Sequence, residues 1–260
     1  MADSLVDRDN FACNAAVSAC EKSGQWERAL QLFREMADSR VERGTITYNA
    51  TVSACGKGEQ WVWALHLFRE MADSRVERDT ITYNAAVSAC EKGQQWVQAL
   101  QLFREMADSR VERSTITYNA AVSACEKGGQ QWVQALRLVR EMADSRVERS
   151  TITYNAAVSA CEKGQQWVQA LQLFREMADS RVARDTITCN AAVRACEKGQ
   201  HWAQAVQLFR GMADTRVARA TITYKAAVSA CEKGQQWVQA MHFLACWPCG
   251  AGHHHVQFSS

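Results

Sequence analysis

The chain has 260 residues, 47% of them hydrophobic, and a formal net charge of only +2. No apolar run approaches the roughly 20 residues needed to span a bilayer, and a single proline with 13 glycines leaves little room for disordered linkers. A charge this close to neutral neither argues for a nucleic-acid partner nor excludes one.

Met1 to Asp9, MADSLVDRD, matches Met71 to Asp79, MADSRVERD, so residues 1–9 are expected to be the tail of an incomplete repeat. From Asn10 onward one block recurs with a period of 35 residues. Its anchors are Trp26, Trp61, Trp96, Trp132, Trp167, Trp202 and Trp237, and the only longer gap, 36, follows from the extra Gly in Gly128-Gly129. The column upstream runs Cys13, Tyr48, Tyr83, Tyr118, Tyr154, Cys189, Tyr224. Six complete repeats occupy 10–44, 45–79, 80–114, 115–150, 151–185 and 186–220. A partial seventh extends the array to 245, and 246–260 fall outside the pattern. A fixed period in this range signals a stack of small units, each burying surface against its neighbours.

Thr80 to Ser114 shows the elements of one repeat. Tyr83, Val87 and Cys90 fall on one helical face at i, i+4, i+7, with small residues between them. Thr82 is the expected N-cap, and Gly93 ends this first helix. Trp96, Ala99, Leu100, Phe103 and Met106 then form the apolar stripe of a second, amphipathic helix. The fold class expected is all-α, a solenoid of antiparallel helical hairpins. The tryptophans are expected in its core rather than as a base-stacking platform.

Seven of the eleven cysteines, Cys20, Cys55, Cys90, Cys125, Cys161, Cys196 and Cys231, take the same place in every repeat. Stacked helices lie about 8–10 Å apart, beyond the roughly 7 Å limit between Cα atoms of a disulfide. The column is therefore expected to be reduced, buried and apolar in character.

A 35-residue unit of two helices, with Tyr-Asn near its start, Ala-Cys-x-Lys-Gly closing the first helix and Ala-Leu-x-Leu-Phe-x-x-Met in the second, resembles the pentatricopeptide repeat family. The tetratricopeptide repeat fits less well: its period is 34 and its tryptophan lies in the first helix. One departure is that Arg110 and Arg113 stand where the family usually has a Gly after the second helix and a Pro near the repeat's end. The resemblance implies binding of single-stranded RNA, one base per repeat. It implies base selection by Asn14 with Gly44, Asn49 with Asp79, Asn84 with Ser114, Asn119 with Ser150, Asn155 with Asp185, and Asn190 with Ala220. It implies that Phe11, Ile46, Ile81, Ile116, Ile152 and Ile187 sandwich the bases. Lys22, Lys57, Lys92, Lys127, Lys163 and Lys198 would face the phosphates. An Asn amide both donates and accepts, so it can meet a pyrimidine edge. A neighbouring Asp favours uracil, whose N3–H donates. A pyrimidine-rich target follows, with uracil strongest at Asn49–Asp79 and Asn155–Asp185.

Against this stand plainer readings. The Asn column can serve only to hydrogen-bond a helix start. The Lys column can be a solvated Glu–Lys surface, since a Glu precedes Lys22, Lys92, Lys127, Lys163 and Lys198. His66 and His201 are isolated. Cys246-Trp-Pro-Cys249 with His253 to His255 offers zinc-type ligands, but is taken as an irregular terminus, with no metal or cofactor expected. No catalytic constellation stands out, so the chain is read as a non-enzyme, expected as a monomer without a membrane segment. The leading expectation is sequence-selective RNA binding in organellar RNA processing, stability or translation. A protein-interaction scaffold using the same concave surface is the alternative. Family resemblance implies a mitochondrion or chloroplast, though no transit peptide is visible, as three Asp fall within the first nine residues.

Overall fold

The structure, a computed structural model, describes residues 2–214 and 220–245. Among these residues there is no strand, and fourteen helices form seven hairpins: α1 (Ala2–Lys22), α2 (Trp26–Asp38), α3 (Thr45–Lys57), α4 (Trp61–Asp73), α5 (Thr80–Lys92), α6 (Trp96–Asp108), α7 (Thr115–Lys127), α8 (Trp132–Asp144), α9 (Thr151–Lys163), α10 (Trp167–Asp179), α11 (Thr186–Lys198), α12 (Trp202–Asp214), α13 (Thr221–Lys233) and α14 (Trp237–Ala245). This is the helical-hairpin solenoid class that the period implies. The chain divides into two compact units, 1–164 with α1–α9 and 165–260 with α10–α14. In the first unit α1, α3, α5, α7 and α9 pack side by side, and α3, α5 and α7 also pack on the second helix of their own and of the preceding hairpin. In the second unit α11 packs on α10, α12 and α13, and α13 on α12 and α14.

The first helices bury a wide face because neighbours cover both sides. In α5 the buried residues are Thr82, Tyr83, Ala86, Val87, Ala89 and Cys90, so the small alanines let the next helix approach. The second helices bury a narrower stripe, Ala99, Leu100, Leu102, Phe103 and Met106 in α6, and leave the opposite side to solvent.

Three junctions in the first unit are held by a four-residue clamp; at the fourth, Val139 stands in place of the phenylalanine. Phe68 meets Tyr83 edge to face at 4.9 Å. The Tyr83 hydroxyl donates to Glu105. Arg78 lies over the Phe68 ring, 4.7 Å away, and pairs with Glu105 at 2.9 Å. The same clamp recurs as Phe33, Arg43, Tyr48 and Glu70, and as Phe103, Arg113, Tyr118 and Glu141. The arginine column thus takes the place of the family's proline by tying successive second helices together through a stacked, ion-paired guanidinium.

Both turns of a repeat close with a residue in the left-handed region. After α5, Gln94 has φ 58 and Gln95 N–H bonds back to Cys90 O; after α6, Arg110 has φ 57 and Val111 N–H bonds back to Met106 O. That is the Schellman arrangement usually given to glycine. The chain therefore keeps the family's backbone turn at Arg110 without the glycine.

One expectation is corrected. Thr82 is not the N-cap of α5: Asp79 is, and the helix starts at Thr80, two residues earlier. The tryptophans of α2, α4, α6, α8, α10 and α12 are largely buried, as expected, and each sits on the first turn of a second helix. There the indole covers the backbone of the next hairpin's helix-ending glycine. A Cβ on Gly93 would lie 2.3 Å from Trp61 Cδ1, and equivalent pairs are Gly58–Trp26, Gly128–Trp96 and Gly164–Trp132, then Gly199–Trp167 and Gly234–Trp202. Trp237, on the last described helix, is 63% exposed. Residues 2–9 are helical and continuous with the rest of α1, whereas 74–79 form a turn. The turn at 74–79 is held by Arg78 stacked on Phe68 of the helix before it.

The cysteine column lies in the core as expected. All nine described cysteines are free, and all but Cys13 and Cys20 are buried. Burial pushes the thiols of Cys90, Cys125, Cys161 and Cys196 up to about 12, so they stay protonated and inert.

Candidate nucleic-acid interface

The last residue of each repeat caps the first helix of the next. Asp79 accepts the Thr82 backbone N–H at 2.8 Å, and the Thr82 hydroxyl accepts the Asp79 N–H at 3.2 Å, a reciprocal capping box. Ser114 with Thr117 and Ser150 with Thr153 do the same, and Asp185 caps through Thr188 N–H. Gly44 and Ala220 occupy the same position without a side-chain cap.

The Asn of the preceding repeat joins this box. Asn49 Nδ2 donates to Asp79 Oδ1 at 3.1 Å, while the Thr82 hydroxyl donates to Asn49 Oδ1. Asn84 does so with Ser114 and Thr117, and Asn119 with Ser150 and Thr153. Asn14 accepts from Thr47 and donates to Asn10, and Asn190 accepts from Thr223. The residues that the resemblance makes base-selecting are therefore also structural, as the plainer reading held. In these bonds Asn84 and Asn119 each use one amide hydrogen and one carbonyl lone pair of the two they carry. Asn49 is buried at the groove floor; Asn84, Asn119, Asn155 and Asn190 are half-buried.

Burial raises the Asp79 carboxyl's affinity for protons, but the hydrogen bonds from Thr82 and Asn49 outweigh it and hold the group below the usual carboxylate range. It stays ionised at neutral pH.

Two residues before each member of the tyrosine column, an apolar side chain stands in solvent. Phe11, Ile46, Ile81, Ile116, Ile152 and Ile187 are 59–79% exposed, and Ile222 of the partial repeat, not among the expected residues, joins them. In the first unit Ile46, Ile81 and Ile116 border a groove of about 650 Å3 over the first helices, with Asn49 and Asn84 in its floor and Lys57 and Lys92 along one margin. A periodic row of exposed β-branched side chains on a polar floor has no packing role within the chain.

The lysine margin is mostly neutralised, and by the preceding repeat. Lys57 pairs with Glu21 at 2.9 Å, Lys127 with Glu91 and Lys163 with Glu126 at 2.5 Å each, and in the second unit Lys233 with Glu197 at 2.9 Å. Glu21 is desolvated, which raises it, yet the bonds from Lys57 and Ser53 hold its pKa low. Lys92 differs. The carboxylate position opposite it is Gly56, the one place where ACEKG becomes ACGKG, and Gly56 sits 3.2 Å (as a Cβ) from Ala89 Cβ. Lys22 and Lys198 are exposed at the ends of α1 and α11. The Gly56 gap is legible in the sequence once the pairing is known to run between repeats rather than within one.

No helix among the described residues is long and apolar enough to cross a membrane. No group of three or more metal-type ligands occurs among the described residues. Cys246, Cys249 and His253 to His255 lie outside them.

Comparison with known proteins gives two family matches that together cover more than half of the chain. The model of the PPR repeat family matches residues 8–57 and 78–127, and that of the PPR repeat matches 46–76 and 152–182. Among solved structures, the pentatricopeptide repeat protein PPR10 from maize is 24% identical with a TM-score of 0.65, over 89% of this chain and 33% of that one. PPR10 in complex with an 18-nt psaJ RNA element is 16% identical, TM-score 0.56, over 91% and 39%. The PPR domain of Arabidopsis thaliana protein-only RNase P 1, in complex with tRNA, is 14% identical, TM-score 0.56, over 62% and 84%. The chain thus spans about a third of the length of the maize protein. No curated protein sequence matches it.

Proposed function

The chain belongs to the pentatricopeptide repeat family, and on that premise we propose that its first-helix groove binds single-stranded RNA, one base per repeat with a preference for pyrimidines, in RNA processing, stability or translation within a mitochondrion or chloroplast. The observation that carries this reading is the row of exposed aliphatic side chains over a floor of Asn amides. Flat apolar faces at each repeat suit unstacked bases, and the amides between them offer one donor and one acceptor to each base edge. The capping hydrogen bonds support rather than oppose this, because they fix the Asn and its cap before any ligand arrives. No catalytic step is assigned; the groove binds, and chemistry on the RNA falls to partners. That maize PPR10 and the Arabidopsis domain were each solved with RNA agrees with it.

The neutralised lysine margin implies modest affinity with weak salt dependence, since few counterions are released. Lys92, facing Gly56, is the phosphate contact of largest effect in the first unit. The test is binding of short oligonucleotides at fixed salt. Pyrimidine tracts should bind more tightly than purine tracts, with uracil favoured over cytosine by about 1 kcal/mol at the base facing Asn49 and Asp79, and D79N should reverse that preference. Equal binding of purine and pyrimidine tracts, with no response to D79N, ends the reading. That result would favour the second one, a protein scaffold whose ligand is an apolar peptide laid along the isoleucine row, supported by the same lack of free positive charge.

A further inference from the structure

One junction in the second unit lacks most of the clamp. Position 189 holds a cysteine where Tyr48, Tyr83, Tyr118, Tyr154 and Tyr224 stand. Position 211 holds a glycine where Glu70, Glu105 and Glu141 stand, and position 183 an alanine where Glu77 and Glu112 stand. At three junctions of the first unit these two positions form a hydrogen-bonded pair, Tyr48 with Glu70, Tyr83 with Glu105 and Tyr118 with Glu141. Both members are therefore missing together.

The arginine of the clamp remains. Arg184 stacks over the Phe174 ring at 4.1 Å and donates from Nε and Nη2 to Phe174 O at 3.0 and 2.8 Å. In the first unit the matching Arg113 also reaches Glu141 through Nη1 at 2.5 Å; for Arg184 that carboxylate does not exist. Phe174 is 8% exposed, against 2% for Phe68 and Phe103.

The space left is a pocket of about 730 Å3 between α10 and α12, floored by Cys189 and walled by Phe174 and Trp202. The equivalent place between α4 and α6, beside Phe68 and Arg78, measures about 410 Å3. Its wall balances Arg69 and Arg78 against Asp73 and Glu105. The larger pocket has Arg175, Arg184 and Arg210 and no acidic residue among the described residues of its wall. Burial holds the Cys189 thiol at about 11, so it adds no negative charge.

We propose that this pocket binds a small aromatic carboxylate. The ring takes the slot of the absent tyrosine, edge to face with Phe174, and the carboxylate takes the place of the absent glutamate on Nη1 of Arg184. A half-buried guanidinium beside an apolar cavity favours an anion that brings its own apolar body. Its planar fork pairs with a carboxylate through parallel hydrogen bonds. The pocket is built from second helices, apart from the first-helix groove, so it stands or falls independently of RNA binding.

The experiment titrates the full chain with 4-hydroxyphenylacetate, and with the neutral 4-hydroxyphenylacetamide as control, followed by calorimetry and thermal melting. The acid is expected to bind saturably with a Kd at or below about 1 mM, the range open to a ligand of this size, and to raise the melting temperature. The amide should bind at least tenfold more weakly. R184Q should lose at least tenfold for the acid alone. The double variant C189Y/G211E, which restores the repeat's own sequence and so is expected to fold, should melt higher than the parent without ligand and no longer bind the acid. No saturable binding to the parent, equal binding of acid and amide, or undiminished binding to the double variant overturns the proposal.

Discussion

The junction around Tyr83 in the first unit and the junction around Cys189 in the second are built from the same repeat and differ at three positions. At Tyr83 the ring, the Glu105 carboxylate and the Arg78 guanidinium close on one another. At Cys189 the arginine still stacks on its phenylalanine, but the ring and the carboxylate are gone and a cavity stands in their place. The tyrosine and glutamate are lost together rather than singly. A lone tyrosine would leave its hydroxyl without that acceptor, and a lone buried carboxylate would be costlier still. Removing both leaves only a hole. The surrounding helices α11 and α12 keep their form, because each repeat depends on its own backbone and its neighbours rather than on one shared core.

The largest effect that would sharpen this contrast is truncation of the two residues. Y83A should cost about 3–5 kcal/mol, as for other large buried aromatics. C189A, which removes one sulfur beside an existing cavity, should cost about 1 kcal/mol or less. Hydrogen exchange, which reports each hairpin separately, should show loss of protection confined to α4–α7 for Y83A. Similar costs for both variants would break the comparison.

The glycine–tryptophan seam serves as its control, because it is present in both units. G93A drives a methyl group into the Trp61 indole and G234A into that of Trp202. Each should cost about 1–3 kcal/mol, and by the same amount in thermal or urea melts. W61A should cost about 3 kcal/mol, since the ring is largely buried. A seam much weaker in the second unit would mean that the loss of the clamp loosens the whole junction.

The caps come next. D79A should cost about 1 kcal/mol. Because the native carboxyl titrates below its unfolded value, its contribution is fully present above the unfolded pKa and disappears as pH falls through the native one. The D79A penalty should therefore fade in acid melts below about pH 4; a penalty that persists at low pH would show that the cap acts by shape alone. The smallest effect is at Gly44, which caps α3 with no side chain and has open space around it. G44D should stabilise by a few tenths of a kcal/mol.

Much of this was legible in the chain before any coordinates. The 35-residue spacing of Trp26 through Trp237 gave the number of hairpins, and the i, i+4, i+7 placement of Tyr83, Val87 and Cys90 gave the buried face of α5. What misled was local chemistry that two positions share. Thr82 looks like a cap because threonine often is one, yet Asp79 wins the role, since it lies three residues earlier where its carboxylate reaches the Thr82 N–H. The tryptophans read as core from their apolar stripe, and the structure keeps them largely buried.

By itself the sequence determined the all-helical class, the period, the reduced cysteine column and which residue types recur at each place, because those follow from spacing and side-chain size. Only the tertiary structure decided which recurrent residues meet across repeats. It joined Asn49, Asp79 and Thr82 into one hydrogen-bonded cap, turned the Glu–Lys neighbours into pairs between successive hairpins, and brought Cys189, Gly211 and Arg184 around one cavity. Those contacts connect residues about one repeat apart, through the stacking of helices, and no local pattern in the chain records how closely two helices approach.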